Sequence, residues 1–381
     1  MSYQRKFHLL VSAMALCAFV SIFFCSCQNT GGERTVQTIR PTIIKGVGSF
    51  PDLFCDLQII KLENNEEAML TDITKLAITD TCMYIFDEGV LPAIYVFDFN
   101  GSFLRKIGEG GHAEDEYIYV NDVCFNKLNG ETSVLCQNNQ LKVYNSEGVL
   151  LRKKELSETS YFAKMECVED GYICSSTHLT SKNNILTCFD AELNTVFDCI
   201  KSLRLETDVP SFVRRPLYVC HHTIEYCDFH RSLFHLFSVD GESHDCYKIE
   251  TGNMLDMGSD NTNIENALNI HDCILSQYFF KNKVYGMCTY RGKVSSLRID
   301  FVQKCAKIQS YCDFDPNILD SHEGYLYTLM PADVLLRIIS DGNIVPEETR
   351  KLFKEILEKN NLTANDNDNF FLLKFKAKDE T

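Results

Sequence analysis

The chain has 381 residues, with 37 Lys and Arg against 53 Asp and Glu, and its formal net charge is −16. Apolar residues make up 45% and charged residues 24%, which excludes a disordered or collagen-like chain. Nucleic acid is not expected as a partner, because phosphate binding needs a cationic face.

The N-terminus predicts a secretory signal over residues 1–26. Arg5 and Lys6 form a short basic start, and an apolar run follows over residues 9–24. A membrane span needs roughly 20 apolar residues, so a run of this length is typical of a signal peptide. An uncleaved anchor or a plain secretory signal remains the alternative.

The end of this segment resembles a bacterial lipobox, with Ser26 before Cys27. The resemblance implies cleavage before Cys27 and lipidation of its sulfur and of the new amine. Gln28 follows instead of Asp, and by the same resemblance this implies the outer membrane, with the face of that membrane left open. Residues 27–49 are predicted to be the lipidated cysteine and a polar, flexible tether.

Cysteine is abundant, with 18 residues. An exported chain with many thiols invites a disulfide framework, but single cysteines at strand-like positions behave as small buried hydrophobes. No zinc-type CxxC spacing occurs. The sequence favours buried thiols and leaves their disulfide state open. The strand-like positions are Cys82, Cys124, Cys136, Cys174, Cys188 and Cys288.

From about residue 50 the chain predicts strands joined by short Asx/Gly turns. The turn centres lie near residues 100, 147, 192, 241 and 302, roughly 45–60 residues apart, which indicates repeats of a four-stranded unit. A further strand precedes each hairpin, and six such strands are predicted. They are residues 83–87, 132–137, 171–176, 224–229, 283–290 and 324–330.

Six units in this length predict an all-β fold, a six-bladed β-propeller over residues 50–381. The last unit lacks its own hairpin, so residues 369–378 would form its third strand and the N-terminal residues 56–63 its outer strand. The propeller would then be closed by the N- and C-terminal strands, without a free edge. Residues 346–361 predict one inserted helix, which Pro346 opens. A pair of β-sandwich domains is the alternative architecture.

The segment IYVFDFNGSFLRKIGEGGHAEDEY (94–117) resembles the repeat unit of the six-bladed β-propeller lipoproteins of Gram-negative bacteria, which are NHL-like or TolB-like propellers. Gly108, Gly111, Glu116 and Tyr117 match the turn and loop motif of that unit. The family's Gly-Pro-Gly is replaced here by Ala-Glu-Asp. The resemblance implies the fold and an envelope location, but no particular chemistry.

The densest polar cluster is Arg214 and Arg215 followed by His221 and His222. Guanidinium groups bind carboxylates bidentately, so the two arginines are candidates for holding an anionic ligand such as a uronate. Adjacent histidines in a strand point to opposite faces, which disfavours a shared metal ion. All four are candidate ligand-binding residues, with surface charges as the alternative.

The loop between Gly108 and Tyr117 also carries several carboxylates, which is the ligand type that calcium prefers. No DxDxDG arrangement is present, so we expect the glycines to shape a turn and predict no metal site. Phosphate-binding GxxxxGK[ST] and hydrolase GxSxG motifs are absent. The sequence therefore identifies no catalytic residue and no cofactor.

Two functions remain open. The first is a lipid-anchored propeller of the cell envelope that binds a ligand or a partner protein without catalysis. The second is a propeller-type lyase or hydrolase that acts on a polysaccharide or a peptide. We favour the first because a fold does not by itself confer activity. The expected partners are the membrane, through the lipid anchor, and an envelope protein or a glycan.

Overall fold

The computed structural model describes residues 36–117, 119–156, 161–176, 184–201, 217–220, 223–228, 233–238, 244–249, 273–280, 283–290, 293–311 and 319–378. The chain divides into two units, residues 1–36 and residues 37–381, and all the elements below belong to the second. Among the described residues, no helix is both long enough and apolar enough to cross a membrane.

The second unit begins with three strands and a short helix. In chain order they are β1 (Gln37–Ile39), β2 (Pro41–Gly48), α1 (Phe50–Leu53) and β3 (Phe54–Lys61).

Three four-stranded antiparallel sheets follow, each made of four consecutive strands. The first contains β4 (Ile73–Ile78), β5 (Met83–Asp87), β6 (Ala93–Phe97) and β7 (Phe103–Glu109). The second contains β8 (Val120–Phe125), β9 (Thr132–Cys136), β10 (Gln140–Tyr144) and β11 (Leu150–Glu155). The third contains β12 (Phe162–Val168), β13 (Gly171–Ser176), β14 (Asn184–Asp190) and β15 (Thr195–Lys201).

Three further sheets complete the described strands, and each of them includes a strand from the N-terminal region. The fourth contains β16 (Leu217–Cys220), β17 (Thr223–Asp228), β18 (Leu233–Ser238) and β19 (His244–Ile249), with β1 parallel to β19. The fifth contains β20 (Cys273–Phe280), β21 (Lys283–Tyr290), β22 (Lys293–Asp300) and β23 (Cys305–Tyr311), with β2 parallel to β23. The sixth contains β24 (Asp320–His322), β25 (Tyr325–Met330) and β26 (Phe371–Ala377), with β3 antiparallel to β26.

The first strands of consecutive sheets are neighbours in space. β8 contacts β12, β12 contacts β16, β16 contacts β20, and β24 contacts β4. The chain is therefore a β-propeller, as the sequence predicts, and not a pair of β-sandwiches. Five blades are detected in the propeller, whereas hydrogen bonding groups the described strands into six sheets, so the predicted count of six blades stays a proposal.

The turns between the third and fourth strands of the first three sheets share one mechanism. Asp98 Oδ1 accepts hydrogen bonds from the amides of Asn100 at 2.9 Å and Ser102 at 2.8 Å. Asn145 and Asp190 accept the equivalent bonds in the next two sheets. In the third sheet these bonds lower the pKa of Asp190, with the amide of Asn194 as the main cause. These side chains replace backbone partners at the turn, which explains why the hairpins are readable from sequence.

Two helices lie between β25 and β26, namely α2 (Ala332–Ser340) and α3 (Glu347–Lys359). The predicted helix over 346–361 is confirmed as α3, and Pro346 precedes its first residue. The additional helix α2 was missed, because the apolar residues in VLLRII also suit a strand. The helices join the aromatic core of the sixth sheet, where the rings of Phe50 and Phe353 meet at 5.6 Å between centroids.

The predicted flexible tether over 27–49 is wrong for residues 37–48, which form β1 and β2. Ile39 is 2% exposed and belongs to the same core cluster as Tyr247 and Phe353. The short apolar runs in this segment therefore join the outer edges of two sheets, a pairing that adds backbone hydrogen bonds and covers exposed edges. The predicted signal and the first part of the tether, residues 1–35 with Cys27, lie outside the described residues.

Gly101→Ala is expected to destabilise the fold strongly, by about 3 kcal/mol. Gly101 has a φ of +87°, and a Cβ there would lie 2.1 Å from the carbonyl oxygen of Lys61. The matched control is Gly324→Ala, since Gly324 has a φ of +79° but no atom within 4 Å of the added Cβ. We expect the control to cost about 1 kcal/mol in chemical denaturation. Equal losses for the two variants would contradict the packing of this turn against β3.

Candidate functional site

A cavity of about 250 Å³ lies where the first strands of four consecutive sheets approach one another. β4, β8, β12 and β16 all contribute to its wall, so it faces the axis on which the sheets converge. Polar side chains dominate the described part of the wall, in which two apolar residues take part. The lining consists of Asp72, Thr74, Lys75, Phe86, Glu88, Asn121, Asp122, Lys164, Glu166 and Leu217.

The buried ammonium group of Lys75 is the centre of this wall. Its Nζ lies 3.2 Å from Asp122 Oδ2 and 2.9 Å from Glu166 Oε1. It also donates to the backbone carbonyl of Met165 at 2.9 Å. Lys75 belongs to the first sheet, Asp122 to the second, and Met165 and Glu166 to the third. One side chain therefore links three sheets through charged hydrogen bonds.

Burial makes these contacts matter more than ion pairs on a surface. The side chain of Lys75 is 5% exposed, that of Asp122 is 10% exposed and that of Glu166 is 21% exposed. A charge removed from water costs several kcal/mol unless partners replace its hydration. Asp122 Oδ2 also accepts the amide of Met165 at 2.8 Å, so its charge has a backbone partner as well.

The remaining lining residues give the cavity an acidic balance. Among the residues that the structure describes, four carboxylates and two ammonium groups line it, which corresponds to a formal charge of −2 for this part of the wall. Asn121 is oriented by its neighbours, since its Nδ2 donates to the carbonyl of Phe162 at 2.8 Å and its Oδ1 accepts from Tyr161 at 3.0 Å. Such a wall can bind a small ligand through hydroxyl or ammonium groups, because carboxylate and amide oxygens accept hydrogen bonds.

The predicted loop motif is brought together in the connection between the first and second sheets. Gly108 has a φ of +60°, and an added Cβ would lie 2.6 Å from the ring of Tyr117. Tyr117 is 1% exposed and donates from its hydroxyl to the carbonyl of Ile107 at 3.2 Å. Glu116 Oε2 accepts the amide of Ala113 at 2.8 Å, and a Cβ on Gly111 would lie 1.9 Å from that oxygen.

These four residues therefore make contacts within their own loop, and none of them lines the cavity. Lys142 from β10 donates to the backbone carbonyls of Glu114, at 2.8 Å, and of Glu116. Tyr144 donates to the carbonyl of Asp115 at 2.8 Å. These hydrogen bonds hold the loop against the second sheet. The loop carbonyls therefore have a structural role in positioning the loop.

The other predicted site residues, Cys27, Arg214, Arg215, His221 and His222, lie outside the described residues. Leu217, which follows Arg215 closely in sequence, lines the cavity. The cavity residues themselves were not identified from sequence. A signal was present, since Lys75, Asp122 and Glu166 lie in β4, β8 and β12, the first strands of three successive sheets. Charged residues thus recur inside the apolar first strand of successive repeats.

A second polar cluster lies near β24. Asp80, His322 and Glu323 offer ligand atoms that lie within 4.8 Å of one another, and His322 Nε2 is 3.0 Å from Asp80 Oδ1. Three such groups are the minimum for a metal centre. The side chain of Asp80 is 86% exposed, and hydrated carboxylates of this kind are common on protein surfaces.

Comparison with known proteins gives a family and a fold. A family model described as "Domain of unknown function (DUF4934)" matches residues 48–376. No curated protein matches the chain. A crystal structure described as a "Putative exported protein (BF0058)" from Bacteroides fragilis NCTC 9343 is 13% identical, with a TM-score of 0.65, and the match covers 91% of this chain and 100% of that chain. At this identity the likeness shows the fold alone.

Two further solved structures are similar over parts of the chain. BamB from Moraxella catarrhalis is 12% identical with a TM-score of 0.38, over 66% of this chain and 63% of that chain. PorZ from Porphyromonas gingivalis, described as a surface component of the type-IX secretion system, is 12% identical with a TM-score of 0.40, over 70% of this chain and 30% of that chain. Likenesses of this size carry no argument about function.

Lys75→Met is expected to destabilise the protein by about 3–5 kcal/mol, because it leaves two carboxylates buried without their ammonium partner. Lys164→Met is the matched control, since Lys164 lines the same cavity but is only partly buried. The control should cost less than about 1 kcal/mol. Chemical denaturation measures both losses. A similar small loss for the two variants would show that the Lys75 contacts do not hold the sheets together.

Proposed function

We propose that this chain, which belongs to the family described as "Domain of unknown function (DUF4934)", is a β-propeller of the cell envelope that binds a small polar ligand in its central cavity without transforming it. The ligand carries hydroxyl or ammonium groups, as a glycan or an amine does. Neither the family description nor the fold assigns an activity, so the proposal depends on the site.

One observation carries the proposal, namely the charged cavity at the meeting point of β4, β8, β12 and β16. Ligand sites are concave and place a few polar groups at fixed positions. Here the Lys75 cluster fixes the wall, while Asp72, Lys164 and Asn121 surround the same space. The volume of about 250 Å³ suits a molecule of the size of a sugar or an amino acid.

Six blades are proposed as the setting of this cavity. The hydrogen-bonded sheets support this count, and the pairing of β3 with β26 supports closure of the ring by the two ends of the chain. In that arrangement the channel would be formed by β4, β8, β12, β16, β20 and β24. The contact of β24 with β4 supports the closure.

Lipid anchoring at Cys27 is proposed as the means by which the propeller stays in the envelope. The lipobox-like ending at Ser26 and Cys27 supports it. A single acyl chain binds membranes only marginally, so stable anchoring needs the several chains that a lipidated N-terminal cysteine carries. The outer membrane is the proposed location because Gln28 follows the cysteine.

The same purified protein can be used to test the alternative function, that of a lyase or hydrolase. A binding protein returns its ligand unchanged, whereas an enzyme consumes it with turnover. Incubation of the purified chain with each bound compound, followed by mass analysis, separates the two. Formation of product at more than one equivalent per chain would replace the binding proposal by the enzymatic one.

A panel of small ligands is expected to divide by charge. Neutral sugars or amines should raise the melting temperature, while uronates should not, because the described lining of the cavity carries a formal charge of −2. Asp72→Asn should weaken binding of the responding compound by about tenfold, or about 1.4 kcal/mol, in isothermal titration calorimetry.

Asp170→Asn is the matched control for this loss. Asp170 is an exposed carboxylate in the turn between β12 and β13 and is not part of the cavity wall. The control should bind as the unchanged protein does. Binding of uronates alone, unaffected by Asp72→Asn, would contradict the cavity as the site and would point to Arg214 and Arg215.

Metabolic labelling with an alkyne fatty acid tests the anchor. In a Gram-negative host we expect the label on the full chain and its loss in Cys27→Ser, because the lipid needs the Cys27 thiol. Cys25→Ser is the matched control and should keep the label, since this cysteine would leave with the signal. Label retained in Cys27→Ser would show that the lipobox assignment is wrong.

A further inference from the structure

Two cysteines meet between the second and third sheets. Cys124 of β8 and Cys167 of β12 place their Sγ atoms 2.6 Å apart. Other sulfur contacts in the described residues are longer, such as 3.6 Å between Cys82 Sγ and the hydroxyl of Thr79. Bonded sulfurs lie about 2.05 Å apart, so this pair needs only a small movement to reach bonding distance.

The surrounding contacts hold the two strands in register at this point. Asp122 and Cys124 lie on one face of β8, because alternate residues of a strand share a face. Met165 and Cys167 share a face of β12 in the same way. Asp122 Oδ2 accepts the amide of Met165 at 2.8 Å, two residues from the sulfur pair on each strand. The sulfurs therefore meet as part of an ordered contact between two sheets.

The two thiols differ in access. Cys124 is fully buried, whereas Cys167 is partly exposed. Burial, followed by the neighbouring Cys167, raises the pKa of the Cys124 thiol well above its ordinary value. A protonated, buried thiol is a poor nucleophile. An external reagent would thus reach Cys167 first.

We propose that Cys124 and Cys167 form a disulfide in an oxidising compartment and thereby join the second and third sheets covalently beside the cavity wall. The oxidant is a donor disulfide of the thiol–disulfide exchange class. The Cys167 thiolate attacks one donor sulfur and forms a mixed disulfide, which releases the first donor thiolate. The Cys124 sulfur then attacks Cys167 Sγ and releases the second donor thiolate. The two protons lost by the cysteines are taken up by the donor thiols, and the donor is reduced by two electrons.

The bond would reinforce the contact on which the cavity depends. Asp122 precedes Cys124 by two residues, and its carboxylate accepts a hydrogen bond from the Lys75 ammonium of the first sheet. A covalent link between β8 and β12 restricts the unfolded chain and keeps the two carboxylate-bearing strands together.

Peptide mapping tests the bond directly. The full chain, purified in detergent, is incubated with oxidised glutathione or with a reductant, and its free thiols are then alkylated. Trypsin leaves Cys124 as the only cysteine in peptide 107–127, and places Cys167 and Cys174 together in peptide 165–182. We expect a cross-linked pair of these peptides after oxidation only. Fragment ions should assign the link to Cys167, and a Cys174→Ser variant should retain it.

A thermal measurement gives a second, independent reading. Reductant should lower the melting temperature of the oxidised chain by on the order of 5 °C. Cys124→Ser and Cys167→Ser should lose this difference between oxidised and reduced samples, whatever their own stability. Cys174→Ser should keep it. Full alkylation of Cys124 and Cys167 in the oxidised sample, or a link from Cys124 to another cysteine, would overturn the proposal.

Discussion

The Lys75 ammonium is the interaction on which the central part of the structure depends. It is buried, and its partners come from two other sheets, so its hydration is replaced only when all three sheets are in place. A lone buried charge costs several kcal/mol, whereas a partnered one costs far less. The cluster therefore selects one arrangement of the first three sheets, and the same arrangement forms the wall of the cavity.

The rest of the molecule is organised around the place where the first strands of these sheets approach one another. Each of the first three sheets turns back through an Asx-type turn at its outer hairpin, and each directs its first strand toward the others. The loop from Gly108 to Tyr117 connects two sheets and is held by Lys142 and Tyr144 of the second. At the other end, β1, β2 and β3 add to three consecutive sheets, so that one N-terminal segment covers edges that would otherwise be open.

The candidate functional groups share this location. The cavity, the ion cluster and the sulfur pair all involve β8 and β12, which are neighbouring first strands. A polar cavity at the axis of a repeat fold collects one or two side chains from each repeat, so a site can be assembled without any local motif. This explains why the absence of catalytic signatures in the sequence says little about the cavity, and why the function must be argued from geometry.

The sequence by itself determined the features that depend on neighbours along the chain. The turn at Asn100 and Gly101, strand β5, helix α3 and the strand at the C-terminal end, Phe371–Ala377, follow from turn chemistry and periodicity, which act within a few residues. Tertiary structure alone decided the strands at residues 37–48 and the burial of Lys75. A short apolar run forms a strand only when it can pair with the edge strand of a sheet. A lysine is buried only when carboxylates from other sheets replace the hydration of its ammonium group. Both conditions involve residues tens to hundreds of positions away, and no local pattern contains them.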